Sequence, residues 1–297
     1  MFYPDAITAH QGISMKQITF AFRNHQLTNI NTWTPDSQWL VYDVRPSGAS
    51  FTGETIERVN VSTGEVEAIY RATDGAHVGV VTVHPVQEKY VFIHGPKHPD
   101  ADWHYDFHHR QGVIAHNGQV SNLDAMDITA PYTAGALRGG SHVHVFSPNG
   151  QFVSFTYNDH VLHARDPQLD LRNVGVAAPF GPVNPQGNHP REYAGTFWSV
   201  LVSRTTPNPK PCSDEINRAY EEAGWATTGW RLSAIRCLRK ARKCPNCLLS
   251  ISPKTSRAGN GRVMRRCRGR RIQCPRRLRA SCNAALPSPT RRRIRGW

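Results

Sequence analysis

The sequence predicts an all-β protein assembled from repeated antiparallel units. Short runs of alternating apolar and polar residues recur along the chain, separated by turn formers such as STGE (62–65) and SPNG (147–150). Windows long enough for an amphipathic helix are absent before Ser213. The strand pattern also recurs at a spacing of roughly 50 residues, which indicates an architecture of similar modules.

Seven strands follow from this alternation. They cover residues 39–45, 55–61, 65–71, 78–84, 89–95, 141–147 and 152–158. One helix is expected over residues 213–225, because Ser213 can cap it and acidic residues occupy its first turn. Ile216 and Tyr220 would share one face of that helix.

The repeat joins two apolar strands across a proline turn. It occurs in residues 29–45, 79–95 and 142–158. After the first copy, a hairpin over residues 55–71 completes a four-stranded antiparallel unit, which is the blade of a β-propeller. The sequence therefore predicts an incomplete propeller of roughly three to four blades. A β-sandwich is the alternative, although a sandwich does not require such a repeat.

Several segments resemble a known family. WTPDSQWLVY (33–42) and FSPNGQFVSF (146–155) are similar to the TolB-like, WD40-like propeller repeat, whose usual form is W-S-P-D-G-x-x-I-A-F. Residues 15–51, 75–85 and 187–222 are similar to the YidR-like bacterial proteins, a family of unknown function assigned to the TolB-like propellers. The resemblance implies a domain that continues beyond the matching residues.

The resemblance divides the chain into three parts. Residues 15–225 are expected to form a partial TolB-like β-propeller. Residues 1–14 are expected to be an upstream extension that is not native, since Met15 is the natural start. Residues 226–297 form a basic, cysteine-rich tail, and the propeller is expected to be truncated before them.

The tail differs sharply in composition from the rest of the chain. Of the 36 Lys and Arg residues, 21 lie after Thr227, whereas none of the 22 Asp and Glu residues does, so the net charge of +14 comes from the tail. Six of the seven cysteines also lie there. Cys244 and Cys247 can supply only half of a four-ligand zinc site. A disordered basic segment that binds nucleic acid is a second interpretation.

A frameshift is the interpretation we favour for the tail. Read one base back, residues 226–236 permit G-N-H-W-L-A-F-I-G-D-T, and residues 244–259 permit V-P-E-L-F-I-V-D-L-P-E-D-E-P-G-W. Both peptides resemble a continuation of the YidR-like family. The break is expected between Ala223 and Ala226. The tail is then disordered or non-native, and no nucleic-acid partner is expected.

Histidines recur at the start of the predicted blades. They are His25, His77, His142, His144 and His189. Because the first strand of each blade lines the central channel, these imidazoles are expected to gather at one channel mouth. His142 and His144 lie two residues apart on one strand and are expected to point to the same face. Such a set can bind a divalent Mn, Zn or Fe ion, or it can serve only as hydrogen-bonding structure.

Two further residues extend this candidate site. Arg191 can hold a carboxylate through two hydrogen bonds, and Glu192 can act as a base or a metal ligand. A second polar segment, HPDADWHYDFHHR (98–110), carries metal-ligand types without ordered spacing and is expected to be a solvated loop.

These observations predict a module that binds a protein, a small molecule or a carbohydrate at a histidine-lined channel mouth. The alternative is a divalent-metal-dependent carbohydrate-active enzyme, because the histidine set resembles in general form the manganese-holding channel of oligogalacturonate lyases. Nucleic-acid binding is a second alternative if the tail is real. No apolar window is long enough to span a membrane. Residues 1–14 lack signal-peptide features, so a cytoplasmic location is expected, with the periplasm as the alternative by analogy with TolB.

Overall fold

The computed structural model describes residues 15–28, 30–47, 50–210, 213–224, 230–235 and 247–251. Within them the predicted all-β class is confirmed, because strands dominate and helix is almost absent. The helical residues are α1 (His160–Arg165) and a 3₁₀ turn (Pro167–Leu169).

The strands form four antiparallel sheets in chain order. The first contains β1 (Trp39–Asp43), β2 (Thr55–Asn60) and β3 (Val66–Arg71). The second contains β4 (Val78–Val83), β5 (Lys89–His94), β6 (Gln111–His116) and β7 (Gln119–Asn122). The third contains β8 (Gly139–Phe146), β9 (Val153–Asp159), β10 (Asn173–Ala178) and β11 (Trp198–Leu201). The fourth contains β12 (Arg218–Gly224), β13 (Trp230–Ile235) and β14 (Cys247–Ile251).

The sheets pack through their first strands. β4 contacts both β1 and β8, and β8 also contacts β12. First strands of neighbouring blades meet in this way around the axis of a propeller. The described strands form no closed barrel, and their arrangement is consistent with an incomplete propeller-like fold.

Two hydrophobic clusters hold neighbouring sheets together. The first lies between the first and second sheets and includes Val41, Ile56, Val81, Phe92 and Val113. The second lies between the second and third sheets and includes Ile114, Leu123, Phe146, Phe155 and Tyr157. Alternation supplies these residues, because every second side chain of a half-buried strand faces its neighbouring sheet.

The helix predicted over residues 213–225 is wrong. Residues Arg218–Gly224 form β12, which pairs with β13. Ala219 is fully buried, and its backbone N–H donates to the carbonyl oxygen of Arg172 at 3.0 Å. Pairing with neighbouring strands satisfies this backbone, and it overrides a helix propensity that is only a weak preference.

The structure describes little of the predicted upstream extension (1–14) and of the predicted tail (226–297). Residues 1–14 lie outside the described residues, as does Cys244. Within the predicted tail, the described residues are β13 and β14, which Cys247 begins. No helix among the described residues is long and apolar enough to cross a bilayer.

Candidate functional site

One stretch of chain builds two clusters of polar side chains. The connecting segment, residues 95–110, joins β5 to β6 and contacts β8 and α1, through a hydrogen bond from the Ser141 N–H to the Arg110 carbonyl oxygen and through the pair of His109 with His160. One part of it lines a cavity that also contains three arginines. Its residues His108 and His109 belong to a group of imidazoles shared with α1.

The arginine cavity has a volume of about 640 Å³. Its lining includes Arg45, Arg110, Arg172 and His142, together with the rings of Phe51 and Phe107. The volume lies within the range of small-molecule sites, and the mixture of apolar walls with a few polar groups is typical of them.

Arg110 is a deeply buried cation of this cavity. Its side chain is only 9% exposed, and its guanidinium lies 4.7 Å from the centroid of the Phe107 ring and 5.0 Å from that of Tyr105. Among the described residues, Nε of Arg110 has no hydrogen-bond partner and no carboxylate forms an ion pair with the guanidinium. Burial lowers the pKa of Arg110, and the positive charge of Arg172 acts in the same direction.

Arg45 has a different environment in the same cavity. Its Nε donates to the Asp43 carboxylate, so its charge is offset within the first sheet. Asp43 also accepts a hydrogen bond from the Val80 N–H at 2.8 Å. Asp106 is the acidic residue on the cavity wall. The cavity lining thus contains three arginines and one acidic residue.

His142 reaches the cavity because β8 contains a bulge. Pairing with β9 shifts register between His142 and Val145, and Val143 adopts a φ of 54°. His142 is 8% exposed, and its Nε2 has no described partner. Burial and the nearby Arg110 guanidinium hold the pKa of His142 well below its usual range, so the ring is neutral at pH 7.

His144 has a structural environment. It is fully buried, and its Nε2 lies 2.9 Å from Oγ of Ser141. A Cβ at Gly112 would come within 2.6 Å of that nitrogen, so the ring fills space against a bare backbone. His142 and His144 therefore have different partners, although the alternation predicts a shared face.

The remaining predicted histidines are spread over the molecule. His25 packs against the Tyr42 ring at 4.6 Å, and His77 lines a separate cavity of about 310 Å³. Nδ1 of His189 accepts a hydrogen bond from the Arg191 N–H at 3.2 Å. Within the described part of the chain, none of the five predicted histidines belongs to a group with metal-ligand spacing. A metal does not fit them as a set.

Arg191 and Glu192 tie loops together. The Arg191 guanidinium pairs with Asp100 at 2.5 Å and donates to the carbonyl oxygens of Lys97 and His98 at 2.8 and 3.1 Å. The Glu192 carboxylate accepts from backbone N–H groups of residues 128, 129 and 189 at 3.0–3.2 Å. Both side chains already have partners, and their predicted ligand-binding role remains a prediction.

The residues positioned for a metal are others. We call His108, His109, His160, His163 and Asp170 the histidine group. The ligand atoms of His108, His109 and His160 lie within 4.8 Å of one another, and so do those of His108, His163 and Asp170. Sequence spacing did not reveal this group because His109 and His160 are 51 residues apart. The available signal was local density, since His108 and His109 are adjacent and His160 and His163 are one helical turn apart.

Two imidazoles of the histidine group, those of His108 and His160, are neutral at physiological pH. Burial, followed by the neighbouring imidazoles of His109 and His163, lowers the pKa of His108 to about 3. Burial and His109 lower the pKa of His160 to about 4. Neutral imidazole is the form that binds metal ions.

Two comparisons with known proteins agree with the sequence prediction. A family model described as "Protein of unknown function (DUF3748)" matches residues 77–193, a range that contains Arg110, His142 and the histidine group. The chain is also 79% identical over 216 residues to "Uncharacterized protein YidR" of Escherichia coli (strain K12), which is 73% of this chain and 52% of that protein. The chain therefore spans about half the length of this curated relative, and the predicted resemblance to YidR-like proteins is confirmed.

Proposed function

We propose that this YidR-like protein binds a small carboxylate-bearing molecule in the arginine cavity, with Arg110 as the principal contact. The observation that carries the proposal is a buried guanidinium, without a carboxylate partner among the described residues, in a cavity of about 640 Å³. A buried charge is costly unless it is paired, and the ligand would supply the pair.

The walls of the cavity favour an organic acid over a bare inorganic anion. The rings of Phe51 and Tyr105 stack at 4.1 Å, and both rings lie on the cavity wall beside Phe107. Aromatic walls contact the carbon skeleton of a ligand, while a guanidinium holds a carboxylate through two parallel hydrogen bonds. A sugar acid has both features, which narrows the small-molecule and carbohydrate partners predicted from the sequence.

Substitution of Arg110 tests the proposal. We expect Arg110→Ala to weaken binding of galacturonate by about tenfold to a hundredfold, because a hydrogen bond to a charged group contributes roughly 1.5–3 kcal/mol. The measurement is the galacturonate-dependent shift in the thermal unfolding midpoint. Arg71→Ala is the matched control, because Arg71 is an exposed arginine on β3.

Three outcomes would contradict the proposal: equal shifts in the two variants, no shift in the wild-type chain, or a shift produced by phosphate but not by galacturonate. The metal-dependent carbohydrate-active enzyme remains the second candidate, favoured by the histidine group; turnover of oligogalacturonate would identify it. A protein partner, the expected lack of a nucleic-acid partner if the tail is a frameshift product, and the cytoplasmic location remain predictions of the sequence.

A further inference from the structure

We propose that His108, His109 and His160 form a three-nitrogen binding site for a divalent transition metal, with Zn²⁺ or Fe²⁺ favoured over Mn²⁺. The site is distinct from the arginine cavity, and its residues differ from the five histidines selected by sequence. Imidazole ligands suit zinc and iron, whereas manganese prefers oxygen ligands.

The spacing of the nitrogens fits a shared metal. Nε2 of His109 lies 3.1 Å from Nδ1 of His160. Two nitrogens bound to one tetrahedral zinc at about 2.0–2.1 Å are separated by roughly 3.3 Å. The distance between these two nitrogens therefore needs to increase only slightly for both to bind one ion. Nδ1 of His108 is buried without a described hydrogen-bond partner, and it completes the set within 4.8 Å.

Neighbouring groups already hold two of the rings in place. Nδ1 of His109 lies 2.8 Å from the carbonyl oxygen of His104, so Nδ1 carries the proton and Nε2 presents a lone pair. The Trp103 ring stacks on His109 at 3.8 Å and packs against His160 at 4.7 Å. The backbone N–H of Trp103 donates to the Asp100 carboxylate at 2.6 Å, and this bond holds the Trp103 backbone in place. Such outer contacts orient ligands in metal sites.

The two parts of the histidine group would have different roles. His163 stacks on His108 at 3.9 Å, and its Nδ1 lies 3.5 Å from the Asp170 carboxylate. Asp170 also accepts a hydrogen bond from the Asp159 N–H at 2.7 Å. Its carboxylate is therefore engaged at the base of α1, which leaves the three nitrogens as the primary ligands and His163 as a packing neighbour.

Calorimetric titration with Zn²⁺ tests this site. The chain is used without a histidine tag and with its cysteines alkylated by iodoacetamide, because thiolates also bind zinc. We expect one Zn²⁺ per wild-type chain. His160→Ala should weaken binding by more than about 100-fold, the upper limit for losing only an outer contact. His116→Ala, which removes a half-exposed histidine at the end of β6, should leave affinity unchanged.

A second readout does not depend on the folding of His160→Ala. Co²⁺ bound to the three nitrogens should quench the fluorescence of Trp103, so Trp103→Phe should lose most of the metal-dependent quenching. Absence of zinc binding, equal affinity in wild-type and His160→Ala, or quenching that persists in Trp103→Phe would overturn the proposal. Loss of binding in His163→Ala with retention in His160→Ala would also overturn it, because the second trio would then hold the metal.

Discussion

At the scale of single residues, burial decides the chemistry of the ionisable groups. Asp124 is fully buried, and burial raises the pKa of its carboxyl group to about 7. Burial lowers the pKa of His144, which lies nearby across Ser141, to about 3. The two groups therefore affect stability in opposite directions as pH changes.

Asp124→Asn should make the free energy of unfolding fall more steeply as the pH is lowered from 7 to 4. Buried histidines such as His144 stabilise the fold above a pH of about 6.5, and that contribution is lost as pH falls toward their folded pKa values. Asp124 has the opposite effect, because its pKa in the folded state exceeds its value of about 4 in the unfolded chain. Ionisation of the buried carboxyl group destabilises the fold, and this destabilisation is relieved as the pH falls from 7 to 4. Removing Asp124 leaves the histidine contribution alone.

The measurement is the free energy of unfolding in urea at several pH values between 7 and 4. Asp102→Asn, which changes an exposed carboxylate, is the control and should not alter the slope. A slope in Asp124→Asn equal to or shallower than that of the wild type would show that Asp124 does not offset the contribution of the buried histidines.

Residue types alone did not reveal the candidate site. The sequence identified His142 as a binding residue, and the structure places it on the arginine cavity. Arg110 and His109 were invisible as site residues, because they lie within a polar segment that resembles an ordinary loop. Only the packing of residues 95–110 against α1 and β8 shows which of these side chains are buried together.

At the scale of elements, the inner strands share a bulge that the repeat predicts only in part. Val80 on β4 and Val143 on β8 both have positive φ, at 57° and 54°, and both line the arginine cavity. Each lies five residues before its repeat proline, Pro85 or Pro148. Alternation found these strands correctly but could not find the bulges, because a bulge adds a residue without changing composition.

Val143→Gly should cost much less stability than Val145→Gly. Val145 is 1% exposed, and its loss removes roughly 2–3 kcal/mol of burial in addition to the usual penalty for glycine in a strand. At half-buried Val143, relief of the left-handed backbone offsets about 1–2 kcal/mol of the loss. Urea unfolding of the two variants checks this difference. Equal losses would show that the bulge is unstrained.

In β12, contacts with remote residues override the local sequence pattern. Ser213, the following acidic residues and the spacing of Ile216 and Tyr220 all indicate a helix, yet residues Arg218–Gly224 form a strand. The determining contacts are remote, because Ile216 bridges to Thr205 and Ala219 bonds to Arg172. A local pattern does not contain such pairings.

At the scale of the whole molecule, the chain carries two unlike compositions. The relative YidR matches 216 residues, close to the length of the predicted domain over residues 15–225. The basic residues that would favour nucleic-acid binding lie after residue 225. The arginine cavity and the histidine group lie within residues 15–225, and their chemistry does not depend on the tail.

Resequencing the coding DNA across codons 215–262 tests the predicted origin of the tail. We expect the frame one base back to read through G-N-H-W-L-A-F and V-P-E-L-F-I-V-D-L, because the altered composition begins abruptly after the acidic pair Glu221 and Glu222. A stop codon in that frame, or peptides unlike these, would contradict the frameshift and restore Cys244 and Cys247 as candidate metal ligands.

The most direct test of the proposed function is calorimetric titration of the wild-type chain with galacturonate and, separately, with galactose. The two sugars differ at the carboxylate that Arg110 is proposed to hold. Binding of galacturonate at least about tenfold tighter than galactose is the expected result, since one charged hydrogen bond contributes about that factor. Equal affinity for the two sugars, or no heat with either, would contradict a carboxylate site in the arginine cavity.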